Sequence, residues 1–273
     1  MKMLSFGSIS LFAFMFVPAM AADLPVKAPV VKAPPVAVYN WTGFYIGGHA
    51  GYAWGDADSH IDFNDPVFAG SPIPPAVPAD YAKHVNGFIG GGQIGWNYQT
   101  GNLVAGVEAD FSYSDINGDL SLRNTLVGFG GATFTYAESQ RLRWFGTARG
   151  RIGVTPASNW LIYATGGFAY GKVNAETHLT FIDIFGVTSA QYHGAASTTR
   201  TGWTIGGGAE AAVAGNWTAK LEYLYYDLGS VEVLGVRTPV LPTLFTVNDQ
   251  DVRGHIVRFG LNYRFGGPLV AKY

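Results

Sequence analysis

The segment RLRWFGTARGRIGV, Arg141–Val154, sets four arginines in a run otherwise made of Leu, Trp, Phe, Thr, Ala, Ile, Val and Gly. Wound as a helix at about 100° per residue, the arginines scatter around the whole circumference and leave no polar face. As a strand, with side chains alternating between two faces, all four fall on the odd parity. The even parity then reads Leu142, Trp144, Gly146, Ala148, Gly150, Ile152 and Val154, without a charge. The segment is a strand with one apolar and one strongly basic face.

The same alternation recurs along the chain. It is read over 40–54, 87–99, 103–113, 160–170, 200–213, 217–226 and 255–265, which makes eight strands with Arg141–Val154. The segment at 160–170 has the weakest parity, being uncharged on both faces. Each is long enough for the roughly 9–11 residues with which a tilted strand crosses a membrane. The connections alternate as well. Thr100–Asn102, Pro156–Asn159 and Ala214–Asn216 are short and built of turn residues, whereas 55–84, 115–137, 174–198 and 228–251 are long and polar. Short turns on one rim and long loops on the other are the pattern of an outer-membrane barrel. Tryptophans at segment ends (Trp41, Trp54, Trp96, Trp144, Trp160, Trp203, Trp217) suit interfacial girdles.

That architecture answers where the arginines go. A Lys or Arg on the lipid face near the midplane costs about 2–4 kcal/mol, so the charged parity points inward and the apolar parity meets lipid. A water-soluble barrel inverts this arrangement. Composition agrees: 13% of the residues are charged, about half the roughly 25% of a soluble domain. The formal net charge of −2 indicates no nucleic-acid partner, and the absence of Cys excludes disulfides and thiolate chemistry.

The amino terminus carries Lys2, an apolar stretch over Leu11–Val17 and the small-x-small triplet Ala19-Met20-Ala21. These features read as a secretory signal peptide over 1–21. A Pro-rich tether over 22–39, the barrel over 40–266 and a C-terminal extension over 267–273 follow.

The stretches FYIGGHAGYAWG, LRWFGTARGRIG, WLIYATGGFAYG, NWTAKLEYLYYDLG and HIVRFGLNYRF resemble the RopB-like small outer-membrane β-barrels of alphaproteobacteria, a porin-family group distantly similar to the barrel domain of OmpA. The resemblance spans about Trp41–Phe265. It implies an integral outer-membrane barrel with both termini in the periplasm, and a surface protein rather than an enzyme. Its implied partners are outer-membrane lipid, lipopolysaccharide and the assembly machinery that reads the last strand. The chain departs from the usual pattern by continuing past Phe265 to Tyr273, so either residue stands as the terminal aromatic signal.

Gly90–Gly95 matches G-x-G-x-x-G, but strand alternation follows where a dinucleotide site needs a helix. The inward charges form the candidate site: the acids Glu108, Asp110, Glu210 and Glu222 with the bases Arg143, Arg149, Arg151, Lys220, Arg258 and Arg264. Six bases against four acids leave an excess of two positive charges. Side chains about fill the interior of an eight-stranded barrel, so these groups are expected to pair as a lumen ion-pair network. Of the histidines, only His49 lies well inside a strand, with no nucleophile near it in sequence; His60, His84, His178 and His193 fall in the long loops. No cofactor or metal is expected. The sequence therefore points to a non-enzymatic barrel with a plugged lumen that supports the envelope and displays its loops. A narrow passive channel, a loop-based receptor for a ligand such as haem, and last a barrel-embedded hydrolase are the competing readings.

Overall fold

A computed structural model of the chain describes residues 39–64, 80–126, 131–238 and 244–266. The segment read as a signal peptide, the tether before Tyr39 and the extension over 267–273 lie outside the described residues. Eight strands form one closed antiparallel barrel: β1 (Gly43–Phe63), β2 (Asp80–Thr100), β3 (Leu103–Leu126), β4 (Ala132–Ala157), β5 (Trp160–Ile182), β6 (Thr188–Ala214), β7 (Trp217–Thr238) and β8 (Phe245–Arg264). Each strand pairs with its sequence neighbours, and β8 closes on β1 from Tyr45↔Arg264 onward. Closure leaves no unpaired edge, which is the condition for a sheet to stand in hydrocarbon.

At one end, the turn end, two-residue turns at Gly101–Asn102, Ser158–Asn159 and Gly215–Asn216 join the hairpins. Gly101 and Gly215 hold φ near +57° and +51°, the left-handed conformation that such tight turns require. These positions agree with the sequence reading.

The other end differs from it. The segments read as long polar loops are largely strand, since β1 runs to Phe63, β3 to Leu126, β5 to Ile182 and β7 to Thr238. A strand of 21 residues such as β1 runs about 70 Å at about 3.3 Å per residue. Even tilted by about 40°, it rises to roughly twice the ~25 Å apolar band of an outer-membrane barrel. The barrel therefore has a lipid-facing section near the turns and an extension of comparable height beyond it.

Along most strands the two sections keep one parity and exchange its chemistry, while β4 and β7 change parity at register shifts between them. In the lipid-facing section of β1, Phe44, Ile46, Tyr52 and Trp54 are outward while Tyr45 and His49 are buried. Past Trp54 the outward positions are Asp56, Asp58, His60 and Asp62, and the inward ones Ala57, Ser59 and Ile61 are buried. The extension is thus packed like a water-soluble barrel. One apolar cluster includes Val85, Ile116, Leu142, Phe145, Val173, Leu228 and Val233. A second, further from the turns, includes Ile61, Phe134, Tyr136, Leu179, Phe181 and Tyr192. The loop reading failed because polar outward residues dominate the composition there, although the apolar residues between them still alternate.

A second departure lies in the arginine segment. The β4–β5 register shifts between Leu142 and Trp144, leaving Arg143 without a β5 partner. Such an extra residue flips the parity on one side of it. Leu142 consequently points into the barrel, and Arg141 and Arg143 are exposed on its outside. Arg149 and Arg151 keep the inward direction.

The exchange of faces is directly testable in the extension. Val233 is fully buried in its apolar cluster and the adjacent Glu232 is exposed. Val233→Asp should destabilise the barrel by on the order of 3 kcal/mol by burying an unpaired charge, whereas Glu232→Val should change stability by less than about 0.5 kcal/mol. Urea unfolding followed by the loss of the gel-mobility difference between unboiled and boiled protein measures both; equal effects would contradict the inverted packing.

Candidate functional site: a charge-paired lumen

The lumen is occupied in tiers. Nearest the turns, Trp41, Val104, Leu161 and Tyr163 pack together with Tyr39 against them. Arg264 lies here, its guanidinium 4.7 Å from the centre of the Tyr39 ring, with Nε donating to the Tyr39 hydroxyl at 3.1 Å and Nη1 to the Thr42 carbonyl at 3.1 Å. Among the described residues it meets no carboxylate, so it stands apart from the acids with which the sequence groups it.

Above this tier lies the main network. Glu108 is its hub. It accepts hydrogen bonds from Arg149 Nη2 (2.5 Å), Lys220 Nζ (2.8 Å) and the Tyr45 hydroxyl (2.7 Å). Arg258 and Arg151 stand 3.5 and 3.7 Å away. Asp110 accepts from Thr147 (2.5 Å), Arg258 (2.9 Å) and Arg149 (3.2 Å). Glu222 accepts from Arg258 Nε (2.6 Å) and the Tyr163 hydroxyl (2.8 Å). Glu210 takes Arg151 (3.1 Å), Thr218 (2.5 Å) and Asn262 (2.9 Å). The guanidinium of Arg151 also lies over the Tyr45 and Tyr163 rings, at 4.7 and 5.2 Å.

These contacts draw on opposite walls. Glu108 and Arg149 face each other across the β3–β4 ladder, and Glu222 and Arg258 across β7–β8. Lys220, by contrast, is the ladder partner of Glu210 across β6–β7 yet reaches across the lumen to Glu108 on β3. Four acids (Glu108, Asp110, Glu210, Glu222) meet four bases (Arg149, Arg151, Lys220, Arg258), all of them buried. The central network is therefore neutral. The excess of two positive charges read from sequence disappears because Arg143 lies outside the barrel, behind the β4 irregularity, and Arg264 belongs to the aromatic tier.

Neutrality and narrowness explain the geometry. In a lumen about filled by side chains, each buried charge needs opposite charge and hydrogen-bond donors around it. Glycine makes part of this possible: a Cβ at Gly95 would collide with the Tyr45 hydroxyl that serves Glu108.

Several participants escape the sequence reading. Tyr45, Tyr163, Asn97 and Asn262 carry no charge and so no signal beyond inward parity. A second polar tier lies in the extension, where Lys83 pairs with Glu138, Ser59 donates to Glu138 at 2.9 Å and Lys83 reaches Gln250 at 3.0 Å. Burial pulls the Lys83 pKa below its ordinary value, against the pull of Glu138. Lys83 was hidden because its segment reads as a loop.

His49 also acquires a partner: its Nε2 lies 2.7 Å from Ser112 Oγ, a residue 63 positions away. Its Nδ1 has no hydrogen-bond partner among the described residues, whereas a nucleophilic triad needs a carboxylate there. The four histidines read as lying in the loops divide between walls. His60 and His84 pair with Asp80 (2.6 Å) and Asp56 (2.5 Å) on β1 and β2. His178 and His193 face each other at 3.1 Å across β5–β6. The hydrogen bond to Asp80 raises the His60 pKa above the ordinary histidine value. Among the described residues, no group of three or more His, Asp or Glu is placed to hold a metal ion.

Removing a network member should be costly in proportion to its partners. Arg258→Ala deprives Asp110 and Glu222 of a buried counter-charge and should cost about 3–5 kcal/mol. Arg264→Ala loses a ring contact and hydrogen bonds to neutral groups and should cost about 1–2 kcal/mol. Urea unfolding of the refolded barrels gives both numbers, and an inverted order would remove the network from its central place.

Comparison with known proteins agrees with the barrel fold. The chain is 37% identical over 261 residues to the 31 kDa outer-membrane immunogenic protein of Brucella melitensis, covering 94% of this chain and 97% of that protein. It is 34% identical over 201 residues to the 22 kDa outer membrane protein of Rhizobium leguminosarum, covering 73% and 70%. Among solved structures, the outer membrane protein OprG from Pseudomonas aeruginosa superposes with a TM-score of 0.51 at 15% identity, over 85% of this chain and 100% of that one, a likeness of fold alone. The sequence model of the outer membrane protein beta-barrel domain matches residues 9–265, and the chain belongs to that family of outer-membrane barrels.

Proposed function

We propose that this outer-membrane barrel is a closed, non-enzymatic envelope protein whose lumen does not conduct and whose extension presents a rigid surface outside the cell. One observation carries the reading: the neutral network of Glu108, Asp110, Glu210 and Glu222 with Arg149, Arg151, Lys220 and Arg258 draws contacts from facing walls of the lumen. Apolar tiers stand on either side of it. An ion in transit would have to displace paired, buried charges and then pass through apolar packing.

The orientation rests on the asymmetry of the two ends. Short turns belong to the periplasmic rim of such barrels and the longer elements to the outer surface, so both barrel termini face the periplasm. An external extension is in keeping with the name of the Brucella relatives, outer-membrane immunogenic proteins. Stabilising and shielding the envelope is then the work of a stiff barrel standing clear of the bilayer. Its polar outer face needs no further partner to remain soluble there.

Closure predicts near-zero single-channel conductance for the refolded protein in a planar bilayer. Glu108→Ala leaves the network one positive charge in excess and opens space at its hub, so this variant should show a leak that favours anions. Steady native conductance at the level of a general porin would replace the closed reading with the channel one.

Orientation is checked on intact cells. The chain contains no Cys, so Phe185→Cys, in the exposed turn between β5 and β6, creates a unique thiol. It should react with a membrane-impermeant maleimide, and Asn102→Cys at the turn end should react only after the outer membrane is breached. The opposite result would invert the barrel.

A further inference from the structure

Outward charge on the extension is unevenly distributed around the barrel. β8, β1 and β2 carry Asp249, Asp56, Asp58, Asp62 and Asp80 on their exposed face, with Arg253 paired to Asp58 as their one outward arginine among the described residues. On β4 and β5, at the foot of the extension, the outward charges are Arg141, Arg143 and Lys172, with Glu176 four residues further along β5. The register gathers these three: Arg141 lies opposite Asn174, Trp144 lies opposite Lys172, and Arg143 is the residue between them that the β4 irregularity leaves unpaired. None of the three makes an ion pair among the described residues. A hollow of about 190 Å³ opens between Arg141 and Arg143; Ser114 and Asn117 line it too, with one acid, Asp115, so that two cations outnumber it there.

Directly below, on the lipid side, lies an aromatic platform. The Phe111 and Trp144 ring centres are 5.6 Å apart, Trp144 and Tyr170 are 5.9 Å apart, and Tyr113 is exposed beside them. Aromatic rings mark the depth where acyl chains give way to headgroups. Three unpaired cations immediately above them stand at the level of the headgroup anions. The bulge is what makes this possible. With regular alternation Arg143 would point into the apolar lumen beside Phe145; the extra residue turns it outward together with Trp144, and bulges commonly serve to re-aim a side chain.

We propose that Arg141, Arg143 and Lys172 bind the phosphates of one lipopolysaccharide molecule, with its acyl chains lying on Phe111, Trp144 and Tyr170. A phosphate monoester carries about −1.5 to −2 charge at neutral pH, and guanidinium groups engage such oxygens in a bidentate manner. A cluster of two arginines and a lysine suits that ligand better than the single negative charge of a phospholipid diester. The acidic wall of β8, β1 and β2 repels the same groups, so the site confines the glycolipid to one side of the barrel. The assignment to the outer leaflet rests on the orientation proposed above; the phosphate chemistry does not.

The test uses the full barrel refolded in phosphatidylcholine vesicles containing lipopolysaccharide, phosphatase-treated lipopolysaccharide or phosphatidylglycerol. The readout is the glycolipid or lipid retained per barrel after re-extraction in mild detergent. Native protein should retain lipopolysaccharide well above the other two. Each of Arg141→Gln, Arg143→Gln and Lys172→Gln should weaken retention about fivefold, the effect of about one cation at an anionic surface, and Asp56→Asn on the acidic wall should not weaken it. Native binding of the phosphatase-treated form, or of phosphatidylglycerol, at the level of lipopolysaccharide would overturn the proposal. Unchanged retention by the three exposed-site variants, checked for folding by gel mobility, would do the same. The phosphatase arm needs no variant to fold. An inverted result from thiol labelling would move the site to the other leaflet and remove the outer-leaflet assignment alone.

Discussion

The structure depends on how eight charges share a lumen too narrow for water to solvate them. A buried carboxylate such as Glu108 is tolerable only because Arg149, Lys220 and Tyr45 all reach it, from β4, β7 and β1. The contacts therefore cross the barrel as well as run along neighbouring strands. This ties walls that are distant in the ladder and resists both flattening and opening of the sheet. The equality of four acids and four bases removes the net field that would otherwise draw counter-ions inward.

The second organising feature is the exchange of chemistry at the upper aromatic girdle. Below it the solvent is lipid, so apolar side chains face out and charges are confined inside. Above it the solvent is water, so the same strands send Asp56, Asp58 and His60 outward and pack Ala57 and Ile61 inward. Backbone hydrogen bonding is indifferent to this change, which is why the ladder between β1 and β2 continues from Gly43↔Asn97 to His60↔Asp80 without a break. A barrel built in this way carries a membrane protein and a soluble-like barrel end to end on one set of strands. The β4 irregularity at Arg143 sits at the junction of the two sections.

Much of this was legible in the sequence. Period-two alternation fixed the number of strands, the short turns and the lipid-facing side, because lipid forbids charge on one parity over each crossing. The inward direction of Glu108, Asp110, Arg149, Arg151, Glu210, Lys220, Glu222 and Arg258 follows from the same rule. Arg143 did not follow it, since one extra residue in a strand changes the parity of everything beyond it and leaves no compositional mark. The extension was misread as loops because the rule that lipid imposes no longer applies there, and polar outward residues resemble loop composition.

What the sequence by itself determined is the barrel, its turn end and the charged side of each membrane-crossing strand. These are consequences of local alternation judged against one solvent. The tertiary structure alone decided which charges meet, that Lys220 spans the lumen to Glu108, that Arg264 joins the aromatic tier, and that Ser112 meets His49. Those outcomes depend on closure of β8 on β1 and on the stagger of the strands. Closure sets residues far apart in sequence at one height of the lumen, and a linear pattern carries no measure of height.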